Sequence, residues 1–147
     1  MMDFEATNGE YAISTDPAKQ DVDAIYAYLS RSYWAAGRPR EVVAASLQQS
    51  LCFGLYHQSK QVGLVRVITD YATFAYLCDV FVVEEHQRQG LGKWLMGCVK
   101  AHPALQAIRR WLLVTRDADG LYAQFGFTLL EKPDRWMEIS KPSPDRG

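Results

Sequence analysis

Apolar and polar positions recur along this chain with two periods, one near that of a helix and one near that of a strand. Four segments have the helical period: Val22 to about Ser32, Pro39 to about Gln49, Leu91 to the residue before Pro103, and Ala118 to Phe125. Seven segments are β-rich: Tyr11–Ser14, Leu51–His57, Gln61–Thr69, Thr73–Val83, Trp111–Thr115, Phe127–Leu130 and Trp136–Ile139.

This order of elements predicts a mixed α/β fold of the α+β kind, with helices on both faces of the sheet. We expect a central, mostly antiparallel sheet of about seven strands flanked by about four helices. The short polar link Gln58-Ser59-Lys60 predicts an antiparallel hairpin between the second and third strands. The 147 residues fit one domain, with a core over about residues 11–140, a short polar N-terminus and a proline-containing tail.

Composition narrows the classes of function. The net charge is −1 and the basic residues are scattered, so no nucleic-acid surface is expected. No segment reaches the roughly 18 apolar residues that span a bilayer, and the N-terminus lacks the pattern of a signal peptide. Three cysteines without Cys-x-x-Cys spacing indicate reduced thiols, a cytoplasmic location and no metal site.

One loop carries candidate chemistry. Gln87-Arg88-Gln89-Gly90-Leu91-Gly92-Lys93 lies between an apolar strand and a helix, where several backbone N–H groups and the helix dipole suit a phosphate. A Walker loop would need glycine at position 87 and Ser or Thr at position 94, and a dinucleotide fingerprint would need a small residue at position 95. Those positions hold Gln87, Trp94 and Leu95. The remaining alternatives are another phosphate-bearing ligand or an ordinary solvated helix cap.

Two motifs, in this order, resemble the GCN5-related N-acetyltransferase (GNAT) superfamily. The first, Val82 to Lys93, resembles the family's glycine-containing signature before its central helix. The second, Ala118-Asp119-Gly120-Leu121-Tyr122-Ala123-Gln124-Phe125-Gly126-Phe127, resembles its Ala-x-x-Leu-Tyr-x-x-x-Gly-Phe pattern. The paired helices after the first strand and the hairpin before the central strand extend the resemblance over residues 11–139.

The resemblance implies acetyl-CoA as the acetyl donor. The loop would hold its pyrophosphate through the following residues: Gln87, Arg88, Gln89, Gly90, Leu91, Gly92 and Lys93. Backbone groups of Phe81, Val82 and Val83 would pair with the pantetheine arm as an added strand does, unless this strand is fully paired within the protein. Many members carry Asn where this chain has Thr115, which leaves a side-chain contact to the cofactor arm open.

Two residues are the first candidates for proton transfer. Tyr122 matches the family's tyrosine near the cofactor sulfur and would protonate the departing thiolate; the alternative is a core tyrosine. Asp79 interrupts an otherwise apolar strand, so it is either functional, as base or ammonium anchor, or paired, for example with Arg66. Glu84 and His86 are second candidates for the base.

Aromatic and basic residues occupy the family's acceptor region: Tyr33, Trp34, Arg38 and Tyr71. They would wall an amine site, or only pack helix against sheet. The expected function is N-acetylation of a primary amine, in a small molecule or a peptide, by direct attack through a tetrahedral intermediate. A CoA-binding sensor without turnover and an interaction protein that keeps only the scaffold are the alternatives. The family also suggests a homodimer through the last strands.

Overall fold

A computed structural model describes residues 3–142 and contains one six-stranded sheet. In chain order the strands are β1 (Glu5–Asn8), β2 (Tyr11–Ser14), β3 (Leu51–His57), β4 (Lys60–Thr69), β5 (Phe74–Val82) and β6 (Arg110–Leu113). Neighbours in the sheet are also neighbours in this numbering. All pairings are antiparallel except that of β5 with β6, which is parallel. The predicted mixed, mostly antiparallel sheet is therefore confirmed.

The predicted hairpin is confirmed as β3 and β4. Gln58 and Ser59 connect the strands with φ angles of 50° and 69°. Positive φ at both central residues is typical of the turn whose twist matches that of the flanking strands.

All four predicted helices are present. They are α1 (Val22–Leu29), α2 (Arg40–Gln48), α3 (Leu91–Ala101) and α4 (Asp119–Ala123). Asp21 caps α1 as predicted, because its carboxylate accepts a hydrogen bond from the Ala24 N–H at 3.1 Å. Each helix is shorter at one end or both than the apolar pattern suggested, because the terminal turns of helices commonly fray out of regular geometry.

The core lies on both faces of the sheet. On one face Ile25 and Leu29 of α1 and Val43 and Leu47 of α2 pack against strand residues such as Leu64. On the other face α3 packs its apolar stripe, which comprises Leu91, Leu95, Met96, Cys98 and Val99. The helical period read from the sequence therefore marks buried helix faces.

The ends of the chain correct the sequence interpretation. Glu5–Asn8 forms β1, although this segment was expected to be a polar N-terminus; it pairs its backbone with β2 and buries little. Conversely, the strands predicted at Phe127–Leu130 and Trp136–Ile139 are wrong, because no described residue after Ala123 belongs to a strand. Their alternating pattern is real, but a strand also requires a backbone partner, and these segments find none within the described chain.

Candidate functional site

A cleft opens where β5 and β6 part. The two strands pair from Phe74 with Arg110 to Leu77 with Leu113, where β6 ends, while β5 continues to Val82. A cavity of about 1350 Å³ lies beside this free stretch of β5 and reaches the N-terminus of α3. The cavity exceeds the roughly 300–1,000 Å³ of a common ligand pocket, so it has room for an elongated ligand.

The free edge of β5 offers backbone groups to this cleft. The Val83 N–H donates to the Val62 carbonyl at 2.8 Å, on the β4 side. Successive N–H groups of a strand point to opposite edges, so the N–H of Val82 points toward the cleft. The Gln87 side-chain amide donates to the Val82 carbonyl at 2.7 Å. Of the three residues predicted to pair with the cofactor arm, Val82 points its N–H toward the cleft, whereas Val83 and, by the same alternation, Phe81 point theirs toward β4.

The N-terminus of α3 lies at one end of the cleft without a side-chain cap. Gly90 is the N-cap residue with φ of 78°, a left-handed conformation that glycine adopts without strain, and no side chain within residues 3–142 caps the first turn. That turn contains no acidic residue, so its free N–H groups present partial positive charge. This end suits an anion.

The predicted phosphate-loop residues separate into two groups. Five line the cleft: Gln87, Arg88, Gly90, Leu91 and Gly92. Gln89 and Lys93 do not line it, and Gln89 instead accepts a hydrogen bond from the Tyr11 hydroxyl at 3.4 Å. Backbone geometry thus brings most of this loop to the cleft.

Tyr122 reaches the cleft from α4. Its side chain is 7% exposed and lines the cavity together with Leu121. Burial, with a smaller contribution from Tyr33, raises the pKa of Tyr122 above its ordinary value. The phenol is therefore protonated at neutral pH and able to donate. Thr115 also lines the cleft, and its hydroxyl accepts from the Ala118 N–H at 2.9 Å just before α4.

Asp79 lies in a bulge of β5 and is almost fully enclosed. Its φ is 52°, and the β4–β5 register shifts nearby. Arg66 Nε and Arg38 donate to one carboxylate oxygen at 2.8 and 2.9 Å, and the Trp34 indole donates to the other at 2.9 Å. The salt bridge with Arg66, one of the predicted alternatives, is thus present.

This pairing affects what Asp79 can do. Burial by itself raises the pKa of the carboxyl, but Arg66 and Arg38 outweigh that effect and hold the pKa below its ordinary value. A carboxylate that is ionised and occupied by three donors is a poor proton acceptor. Glu84 is also engaged, since Arg31 binds both of its oxygens and lowers its pKa. His86 Nδ1 lies 2.7 Å from the Tyr11 hydroxyl.

The predicted acceptor residues meet at the other end of the cleft, with one exception. Tyr33, Trp34 and Arg38 line it, whereas Tyr71 lies in the turn between β4 and β5 and does not. The structure adds Arg116, whose guanidinium lies 3.8 Å from the centre of the Tyr33 ring. One feature of the sequence could have identified Arg116: it follows closely after a predicted strand, and residues at the carboxyl end of such a strand often contact a ligand.

The cleft combines two features of this mixed sheet: two strands that part, and a helix N-terminus without a side-chain cap. Comparisons with known proteins agree on one family. The family model of the acetyltransferase (GNAT) domain matches residues 48–129. A protein of Gibberella zeae is 39% identical over 141 residues, covering 80% of this chain and 78% of its own. The chain therefore belongs to the GNAT acetyltransferase family.

Solved structures show the same fold. A GNAT-family protein of Xanthomonas campestris pv. campestris is 46% identical, with a TM-score of 0.88, over 91% of this chain and 95% of its own. Both the Xanthomonas protein and the Gibberella protein are described as "putative acetyltransferase". The ribosomal-protein-S18-alanine N-acetyltransferase of Escherichia coli is 22% identical, with a TM-score of 0.67, over 80% of this chain and 77% of its own. That likeness concerns the fold alone.

The length and composition of the helices bear on membrane spanning. Across residues 3–142, no helix has both the length and the apolar character that a bilayer crossing requires.

Proposed function

We propose that this protein transfers the acetyl group of acetyl-CoA to a primary amine by direct attack. One observation carries the proposal: the free edge of β5, the uncapped N-terminus of α3 and the phenol of Tyr122 all face the same cavity. These three features match an extended amide chain, a phosphate group and a departing sulfur, in that order.

The backbone would hold the two ends of the donor. The first-turn N–H groups of α3 at Leu91 and Gly92 would bind the pyrophosphate, with Arg88 adding charge. The unpaired edge of β5 would bind the pantetheine amides. The N–H of Val82 is the candidate for stabilising the oxyanion, because the N–H of Val83 is already donated to Val62.

Tyr122 would supply the proton that the departing sulfur takes up. The thioester supplies the acetyl group and releases a thiolate, whose conjugate acid has a pKa of about 8.5. A positioned phenol can donate its proton to that thiolate and is then reprotonated from solvent, while the attacking nitrogen releases its surplus proton to solvent. Cys78, which also lines the cleft, is a weak candidate for an acyl-enzyme nucleophile. Burial raises its pKa to about 11, so little thiolate is present at neutral pH.

In this proposal Asp79 orients the cleft wall and does not accept the amine proton. Its three donors occupy it, and the amine loses its proton to solvent before attack. In this proposal Asp79 is also not the ammonium anchor, because two arginines already balance its charge. Glu84 and His86 stay alternative bases that act through a neighbouring water.

A CoA-binding sensor without turnover is the runner-up, and Tyr122→Phe separates the two. Calorimetric titration with CoA tests the cofactor site in both variants, and thiol release from acetyl-CoA with an amine panel tests turnover. We expect nearly unchanged CoA affinity and a fall in kcat of about 10²–10³-fold. Unchanged turnover would remove the acid role, bound CoA without acetylation of any amine would favour the sensor, and no CoA binding would contradict both.

We also propose that two copies associate through residues 127–140. Leu129, Met137 and Ile139 are 92%, 96% and 94% exposed, in a segment that forms no strand within residues 3–142 and that contains one 3₁₀ turn at Pro133–Arg135. The outer edge of β6 is likewise unpaired among the described residues. Each copy thus offers an apolar segment and a free edge, which a symmetric exchange would pair. Sedimentation should show a dimer for the wild type and a shift toward monomer for Met137→Lys with Ile139→Lys; a monomeric wild type would contradict this.

The cytoplasmic location stays a prediction.

A further inference from the structure

The acceptor end of the cleft carries surplus positive charge. Three guanidinium groups, those of Arg38, Arg66 and Arg116, face two carboxylates, Asp79 and Asp117. The chain as a whole has a net charge of −1, so this surplus is local. In a partly enclosed cleft such a surplus attracts anions and disfavours cations.

Arg38 is the residue through which this surplus positive charge can bind a ligand. Arg66 and Asp79 form a buried pair, with side chains 11% and 2% exposed, and Arg66 also donates to the Ser50 hydroxyl. Arg38 shares the same carboxylate through one nitrogen, and its side chain is 25% exposed and lines the cleft. A guanidinium has five N–H donors, so most of those of Arg38 are available to a ligand.

Arg116 supports the same end from the opposite wall. It stacks on Tyr33, which contacts Trp34, which in turn donates to Asp79. Its ion pair with Asp117 is long, at 3.5 Å, and both partners are more than half exposed. A pair of that kind neutralises little.

We infer that the acceptor is a monoamine that also carries a carboxylate, which Arg38 binds; this rests on the proposed acetyl transfer. Asp79 already pairs with two arginines, which more than balance its charge and disfavour an ammonium beside it, so we expect the acceptor to be bound through another group. The guanidinium fork matches a carboxylate in shape and charge. The same positive surroundings lower the pKa of the acceptor ammonium, which favours the neutral amine that attacks.

Matched amines test the inference in the wild-type protein. Phenylalanine, phenylalaninamide and 2-phenylethylamine share a side chain and differ in the carboxylate, and β-alanine with ethylamine repeats the comparison without a ring. We expect kcat/KM to be about 10- to 100-fold higher for each carboxylated amine, mainly through KM. Preference for phenylethylamine, for spermidine or for phosphoethanolamine would overturn the carboxylate assignment.

Arg38→Met locates the effect. The advantage of the carboxylated amine should fall about 10-fold or more, with partial retention in Arg38→Lys. Arg40→Met is the matched control, since Arg40 pairs with Asp23 at 2.8 Å outside the cleft; it should keep the wild-type preference. A preference that survives Arg38→Met in folded protein would overturn the assignment.

Binding separates this inference from the proposed function. Calorimetry of the same amines with CoA-saturated protein measures acceptor affinity without turnover, in wild type and Arg38→Met. Carboxylate-selective binding that Arg38→Met abolishes supports the inference even if no amine is acetylated, an outcome that would refute only the transfer reaction. Equal binding of carboxylated and plain amines would overturn it whatever the turnover.

Discussion

Replacing Asp79 by Asn isolates the charge at the centre of the cleft wall. The two side chains have nearly the same shape, and Asn tolerates a positive φ such as the 52° found here. Arg66, Arg38 and Trp34 all donate to the carboxylate. The substitution therefore changes the electrostatics while leaving the bulge in place.

The expected loss of stability follows from the donors. Asn offers one acceptor oxygen, so its NH₂ group faces either Trp34 or both arginines, and at least one donor meets another donor. Removing one partner of a buried ion pair costs about 3–5 kcal/mol, and the partial exposure of Arg38 favours the lower end, about 3 kcal/mol. For a domain of this size that corresponds to a fall in Tm of about 10 °C.

The pH dependence of this loss has a definite sign. The folded pKa of Asp79 lies below its ordinary value of about 3.9. A carboxyl of this kind contributes stability above pH about 4, and the contribution is lost as pH falls through the folded pKa. The stability gap between wild type and Asp79→Asn should therefore be full at pH 7 and shrink below pH 4.

Urea unfolding at pH 7 and pH 3 measures both quantities. Asp23→Asn is the control, because Asp23 pairs with Arg40 on the surface with its side chain 80% exposed; its stability should stay within about 0.5 kcal/mol of wild type. A gap under about 1 kcal/mol at pH 7, or one equally large at pH 3, would refute the reasoning. In kinetics a positioning role predicts a raised KM, whereas a general base predicts a kcat loss of about 10²–10⁴-fold.

Three further predictions concern neighbouring parts of the cleft. Gly90→Ala should cost about 1 kcal/mol of stability and weaken CoA binding in calorimetry, because the φ of Gly90 is 78°. Its control is Gly97→Ala inside the same helix, which should be neutral or stabilising and should bind CoA normally. Cys78→Ala should keep most turnover in the thiol-release assay; abolished turnover would indicate an acyl-enzyme route. Gly63→Ala should lower stability by about 1–3 kcal/mol in urea unfolding, since its Cβ would lie 2.8 Å from the Phe81 carbonyl oxygen; wild-type stability would show that the strands can move apart.

Local chemistry made much of the fold predictable. The four helices and the β3–β4 hairpin follow from apolar period, capping residues and turn residues, all of which act within a few positions of the chain. The β1 strand escaped prediction because Glu5–Asn8 buries little and depends on pairing with β2. Phe127–Leu130 and Trp136–Ile139 failed in the opposite direction, because an alternating pattern cannot supply a partner strand.

The candidate site divides in the same way. The loop around Gly90 and the position of Tyr122 could be read from motifs, because each motif lies on a single element. The contacts of Arg116 with Tyr33 and of Arg38 with Asp79 join residues far apart in the chain, and no local pattern signals them. Tyr71 shows the converse, since its place in a turn suggested the acceptor region and the folded chain directs it elsewhere.

The sequence by itself determined the kinds of elements, the uncapped glycine at the start of α3 and a buried charge at Asp79. Only the tertiary structure decided where β6 ends against β5, and hence that a cleft opens there and that Val82 faces it. It also decided that Asp79 is neutralised by two arginines, which leaves positive charge at the acceptor end. The physical reason is range: propensity and capping act between near neighbours, whereas strand pairing, burial and charge balance depend on residues that only folding brings together.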